Sequence, residues 1–220
     1  MILITGENRI GKTTFARELA KLLNLPVYGF ADQVREDIYR QIYRFKFHHL
    51  RQDDIFKHSD EWVKLLDRYT CSRKLWKFLD ENTEVKERLR EDIVAYAQSM
   101  KVIHGDDYWV QRLFENHDDV NNAIIHDFRF DEEWHSIMAQ KNKNRGSYHV
   151  NPDGRPIVIV LYNGRWDDIL NGNKLLFTVD VRKAILNGCI GHYVDKDNHE
   201  EFMASVKECA NYIKENNLVK

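Results

Sequence analysis

The chain has 220 residues, 43% of them hydrophobic and 31% charged, with a formal net charge of -2. That length fits one domain carrying an insertion, with enough apolar sequence for a core, and the near-neutral balance gives no global electrostatic reason for a nucleic-acid or membrane partner. Cys71, Cys189 and Cys209 are odd in number, far apart and without C-x-x-C spacing, which reads as reduced thiols and argues against both a disulfide framework and a cysteine metal site.

The pattern along the chain alternates strand and helix. Residues 1–5 read as a short buried strand. They lack a basic lead-in and stop too soon for a signal peptide or a membrane span, and nothing later is long enough to cross a bilayer. Residues 13–23 follow with Phe15, Leu19, Leu22 and Leu23 at helical spacing. Residues 26–30 are a second short strand, and Asp32 suits the N-cap of the next helix. No strand signal appears from there to about Asp80, which predicts a helical insertion at about 40–82. Residues 85–100 and 108–114 look helical, 122–127 is a buried strand, and 132–139 is the helix after it. The stretch 141–156 contains Asn-Arg-Gly and Asn-Pro-Asp-Gly and reads as loop. Residues 157–161 are apolar throughout and mostly β-branched, the strongest strand signal in the chain. A polar, turn-rich stretch at about 163–174 is the candidate lid, 175–181 a further strand, and 199–216 a closing helix. Short apolar strands separated by helices predict an α/β fold, a parallel sheet covered on both faces.

The chemistry is announced at the first turn. Gly6-Glu7-Asn8-Arg9-Ile10-Gly11-Lys12-Thr13 fits the P-loop pattern G-x-x-x-x-G-K-[ST]. Gly6 and Gly11 let the backbone wrap closely around phosphates. Successive N–H groups and the start of the following helix then face the anion. Lys12 supplies a point charge for the β- and γ-phosphates, and the Thr13 hydroxyl a magnesium ligand. A glycine-containing turn matches such a pattern by chance, but here a predicted strand precedes it and a predicted helix follows. Gly6, Asn8, Arg9, Gly11, Lys12, Thr13 and Thr14 are therefore candidates for binding ATP with magnesium, within a P-loop NTPase three-layer sandwich.

Two further elements sit where ligands bind in open α/β sheets, beyond the carboxyl ends of strands. Asp32 and Arg35 start the helix after the second strand. Arg35 is a candidate for an acceptor phosphate and Asp32 for orienting the acceptor oxygen or a magnesium-bound water; the alternative is a helix cap with a solvated arginine one turn on. Asp127 emerges from the strand at 122–127, where a magnesium-organising carboxylate belongs. Arg129 can fork onto a phosphate, with Glu133 one turn into the next helix to hold it. The alternative is an acidic helix start of the kind the helix dipole favours. His126 reads as a packed or surface histidine rather than a ligand.

Together these residues resemble the bacteriophage deoxynucleoside monophosphate kinases, a branch of the P-loop nucleoside monophosphate kinases. Phe30-Ala31-Asp32-Gln33-Val34-Arg35 is similar to the family's Phe-Ala-Asp-Pro-Leu-Lys-like segment. The stretch from Arg90 to Trp109 is similar to its Arg-containing helix and tryptophan, and Asp127-Phe128-Arg129-Phe130-Asp131-Glu132-Glu133 to its Asp-Val-Arg-Phe-x-x-Glu-like segment. Residues 193–202 resemble its last strand, a loop near the adenine, and the closing helix. The resemblance implies ATP and magnesium at Lys12 and Thr13, acceptor contacts from Arg35, Arg90 and Arg129, and Trp109 as a wall of the base pocket. It also implies a cytoplasmic protein, in the host cytoplasm if phage-encoded, and leaves the oligomeric state open, a homodimer included. The departures are Gln33 for proline, Arg35 for lysine, and Tyr162 where the family often has an ATP-contacting arginine; Arg165 or Arg182 are the substitutes for it.

Residues 39–51 interleave basic and aromatic side chains, as single-strand-binding surfaces do, although the acidic Asp53-Asp54 and Asp60-Glu61 follow directly. Three functions are carried. The first is phosphorylation of a (deoxy)nucleoside 5′-monophosphate by ATP. The second is a phage-type kinase acting on a hydroxymethylated base in DNA. The third is a nucleotide-binding switch without acceptor chemistry, which has no need of a second phosphate site at Arg35 and Arg129.

Overall fold

A computed structural model of the chain describes residues 1–7, 9–45, 56–143, 156–164, 189–195 and 197–218, with the backbone alone at 42–45 and 141–143. The candidates Asn8, Arg165 and Arg182, most of the stretch at 163–174 and the strand expected at 175–181 lie outside the described residues. The chain divides into two compact units, one of Met1–Phe30 with Val110–Lys220, the other of Ala31–Trp109.

The first unit is built on strands β1 (Ile2–Gly6), β2 (Val27–Tyr28), β3 (Ile124–Ile125), β4 (Ile157–Tyr162) and β5 (Ile190–Tyr193). They form one five-stranded sheet in the order β2-β3-β1-β4-β5, every pair parallel. Parallel strands need crossovers, and helix α1 (Lys12–Leu23) is the first of them. The central strands β1, β3 and β4 are buried on both faces. Ile2, Ile4, Ile157, Ile159 and Leu161 join Phe15, Ala16 and Leu19 of α1 and Phe202, Val206 and Ile213 of the closing helix in one core. Leu3, Val158 and Val160, offset by one residue from those side chains, are just as buried. Strands buried on both sides read as continuous apolar runs rather than alternating ones, which is why 2–4 and 157–161 carry no polar residue. The fold is thus the expected α/β sheet with helices on both faces.

Helix α1 buries Phe15, Ala16, Leu19 and Ala20, whereas Leu22, expected on that face, is exposed. It ends at Asn24, which takes the left-handed conformation asparagine tolerates (φ 54°), with its N–H on the Ala20 carbonyl. Helix α2 (Phe30–Phe45) starts two residues before Asp32, so Asp32 lies in its first turn and is not its cap.

The second unit is helical: most of α2, then α3 (Ser59–Arg68), α4 (Ser72–Glu81) and α5 (Thr83–His104). Its core holds Trp62, Leu65, Leu75, Trp76, Leu79 and Leu89. Asp92, almost fully buried, accepts hydrogen bonds from the Lys57 and His58 backbone N–H groups and from Trp62 Nε1 at 2.9, 3.1 and 3.0 Å. A carboxylate at the start of α3 is favoured there by the orphan N–H groups of the helix end. Back in the first unit come α6 (Tyr108–Asn116, most of it in this unit), α7 (Asp131–Lys143) and the closing helix α8 (His199–Glu215), whose N-cap Asn198 accepts from the Glu200 and Glu201 N–H groups. Cys71, Cys189 and Cys209 are free thiols. Among the described residues no helix is long and apolar enough to cross a membrane.

Candidate functional site

The loop between β1 and α1 leaves the middle of the sheet at its carboxyl edge. Gly6 is the last residue of β1, paired in register with Leu161 of β4, and has φ 142°. A Cβ there would run into the Leu161 carbonyl oxygen. Gly11 caps α1 at φ 92°, where a Cβ would crowd the Phe202 ring at 3.2 Å, and Arg9 between them also has positive φ. Among the described residues no side chain caps α1, and its first turn carries no acidic residue. The first N–H groups of the helix are thus left for another acceptor. Helix N–H groups of this kind are what an anion-binding loop requires.

Gly6→Ala is expected to lower stability by more than the ~2 kcal/mol of a side chain forced into a disallowed backbone region, because its Cβ also meets the Leu161 carbonyl. Gly164→Ala is the control: φ there is 127°, but nothing lies within 4 Å of the added Cβ. Thermal melts of the two variants separate the collision with β4 from the conformational penalty alone. An equal loss in both would mean that the close approach to Leu161 contributes nothing.

Lys12 is buried, and its Nζ donates to the Gly6 and Glu7 carbonyls at 2.9 and 2.6 Å. Its pKa is brought down to about 8, chiefly by burial and next by the nearby Arg129 guanidinium, with Asp127 and Glu7 pulling the other way. Lys12 therefore sits in one electrostatic cluster with Arg129 and Asp127, residues more than a hundred positions on.

The β3 edge supplies that cluster. The His126 N–H donates to the Tyr28 carbonyl at 3.1 Å, carrying the sheet pairing one step past β3. Asp127 is buried, and its Oδ1 accepts the Phe30 N–H at 2.9 Å, at the start of α2. Glu133 Oε2 accepts the Arg129 and Phe130 N–H groups at 2.7 and 3.0 Å. This is the back-reaching half of a capping box at the start of α7. The sequence predicts Glu133 as the group that holds Arg129, and these bonds fall on the backbone. The Arg129 Nε is a buried donor with no hydrogen-bond partner among the described residues. Thr13 Oγ1 lies 3.4 Å from His126 Nδ1. His126 is thus brought to the loop threonine, although its sequence position reads as a packed or surface residue. Chain separation hides this contact; only the pairing of β3 beside β1 reveals it.

The remaining candidates are placed as follows. Thr14 and Arg9 are exposed. In the helical unit Arg35 lies 3.5 Å from Asp80 and 3.9 Å from Asp32, with its guanidinium over the Trp76 ring. Arg90 is exposed and pairs with Glu87 at 3.3 Å. Trp109 is 5% exposed and its Nε1 donates to the Ala97 carbonyl. That is the environment of a core tryptophan. The basic and aromatic run at 39–51 falls largely outside the described residues.

No protein-family model matches the chain, and no curated protein does. Among solved structures it is similar to dephospho-CoA kinase from Campylobacter jejuni, at 17% identity over 98% of each chain, with a TM-score of 0.33. A likeness that distant assigns neither activity nor substrate.

The donor chemistry suits magnesium. Among the described residues no three His, Cys, Asp or Glu side chains gather into a metal cluster. Magnesium that shares its shell with phosphates needs only one or two protein oxygens, such as the Thr13 hydroxyl and the Asp127 carboxylate.

Proposed function

We propose that this chain is an ATP-dependent kinase whose acceptor is a (deoxy)nucleoside 5′-monophosphate. The observation that carries the reading is the gathering of Lys12, Arg129 and Asp127 at the loop between β1 and α1, with Arg129 close enough to depress the Lys12 pKa. Two cations held near each other in a buried place repel, and bound phosphate groups relieve that repulsion. The loop N–H groups and the α1 N-terminus take the phosphates of ATP, and Lys12 neutralises charge on the group being transferred.

Thr13 and Asp127 would hold magnesium, which when bound would supply charge neutralisation at the phosphates. Arg129 places a planar, two-point cation beside the phosphates, suited to the acceptor. An oxygen of the acceptor phosphate attacks the γ-phosphorus. The bond from that phosphorus to the β–γ bridging oxygen breaks, and ADP leaves with its electron pair. Catalysis is then chiefly positioning and charge stabilisation. Asp32, Arg35, Arg90 and Trp109 stand as acceptor-side candidates on their sequence alone, and Glu133 supports Arg129 through its backbone.

The test is incubation with ATP, magnesium and a panel of ribo- and deoxyribonucleoside monophosphates, with ADP and diphosphate products separated and quantified. Stoichiometric ADP and diphosphate from one or more members supports the reading. ATP binding without product from any member removes the monophosphate acceptor and returns the switch reading.

A further inference from the structure

We infer that His126 is a positioning residue for the Thr13 hydroxyl, holding its oxygen toward the β3 edge where magnesium is proposed to bind. The inference rests on the kinase reading above and adds to it a residue to which neither the motif nor the resemblance gives a role.

The geometry is specific. Thr13 is the second residue of α1, and His126 follows β3 directly. Their side chains meet at 3.4 Å, Oγ1 to Nδ1, across 113 positions of sequence. The main chain that carries the His126 ring is held at the sheet edge. The His126 main-chain N–H donates to the Tyr28 carbonyl, and the next residue, Asp127, accepts the Phe30 N–H.

A threonine hydroxyl near a helix start has competing uses. It can turn back onto a carbonyl of the preceding turn, and its χ1 splits between rotamers on that account. A threonine that ligates a cation must instead keep its oxygen lone pairs facing the ion, with its hydrogen directed elsewhere. Nδ1 of His126, as an acceptor, takes that hydrogen and selects the rotamer that brings Oγ1 to the sheet edge. His126 touches neither phosphate nor metal in this scheme. It acts through Thr13, as the hydrogen-bond partners of metal ligands do.

The test compares His126→Phe with His126→Asn in the full-length chain. Phenylalanine keeps a flat ring and removes the nitrogen; asparagine returns an acceptor oxygen near the Nδ1 position. ADP binding is measured by calorimetry with and without magnesium, which gives the magnesium-dependent gain in affinity apart from turnover. His126→Phe is expected to lose about three- to tenfold of that gain, the range for one hydrogen bond, and to bind magnesium-free ADP as the wild type does. His126→Asn is expected to restore most of it. His126→Ala carries the same test if phenylalanine is not accommodated, with thermal melts confirming each fold. A wild-type magnesium gain in both nitrogen-free variants overturns the inference. An equal loss in the phenylalanine and asparagine variants also overturns it, because an acceptor returned near the Nδ1 position would then recover nothing. If the wild type itself shows no magnesium-linked ADP binding, the kinase reading falls and this inference with it.

Discussion

Lys12→Met is expected to lower kcat by about a hundredfold or more while leaving the protein folded, the scale for deleting one charge contact to a transition state. Methionine keeps the length of the stem and removes the ammonium. The structure adds a sign that the motif does not give. The Lys12 pKa is brought from 10.5 down to about 8 by burial first and by Arg129 second. A lysine with a lower pKa folded than unfolded costs stability in full below about pH 8, and the cost fades as the pH climbs toward 10.5. Methionine carries no such cost. The wild type should therefore gain stability relative to Lys12→Met between about pH 7 and about pH 9.5, read from paired thermal melts. Parallel melting curves across that range would mean that Lys12 does not titrate low. Bound phosphate would raise the Lys12 pKa again, so nucleotide binding near pH 8 to 9 should take up protons, visible as a buffer-dependent binding enthalpy. Near-native turnover in folded Lys12→Met would sink the phosphotransferase reading.

Much of the first unit is legible in the sequence for a simple reason. Its central strands are buried on both faces, so residues 2–4 and 157–161 have to be apolar without interruption, and the loop after β1 needs glycine where β4 and Phe202 approach. The short strands are harder. β3 is only Ile124–Ile125, and the run at 122–127 extends past it at both ends because Ala123 and Asp127 are buried for other reasons. Asp32 reads as a cap because an acidic residue suits a whole first turn as well as the cap itself. Leu22 reads as core because helical spacing alone does not say how wide the buried stripe is; Ala16 and Ala20 fill that stripe instead. At the site, Lys12, Thr13, Asp127 and Arg129 follow from local pattern and strand order. The Thr13–His126 contact does not, since it exists only because β3 lies beside β1. The Glu133 bonds to the Arg129 and Phe130 N–H groups needed the helix boundary at Asp131 before they had a meaning.

Arg129→Lys is expected to raise the acceptor KM strongly and lower kcat, with a combined loss in kcat/KM of about tenfold or more, and Arg129→Met to lose about a hundredfold. Lysine keeps the charge but has no donor where Arg129 places its buried Nε, which finds no partner among the described residues. An arginine held only for structure would leave activity alone. Its backbone N–H, the group Glu133 accepts at 2.7 Å, is unchanged in every substitution except proline. The local fold should therefore survive both changes, with melting temperatures near wild type. ATP affinity in Arg129→Lys, measured by calorimetry, should also stay near wild type if the guanidinium serves the acceptor. A second readout is independent of turnover. Because the Arg129 charge helps to hold the Lys12 pKa down, Arg129→Met should let Lys12 titrate higher, which NMR of the lysine side chain reports directly. Arg129→Lys, still charged, should leave that titration nearly in place. Unchanged acceptor kinetics in Arg129→Lys would take Arg129 out of the acceptor site. Unchanged Lys12 titration in Arg129→Met would break the electrostatic cluster on which the kinase reading stands.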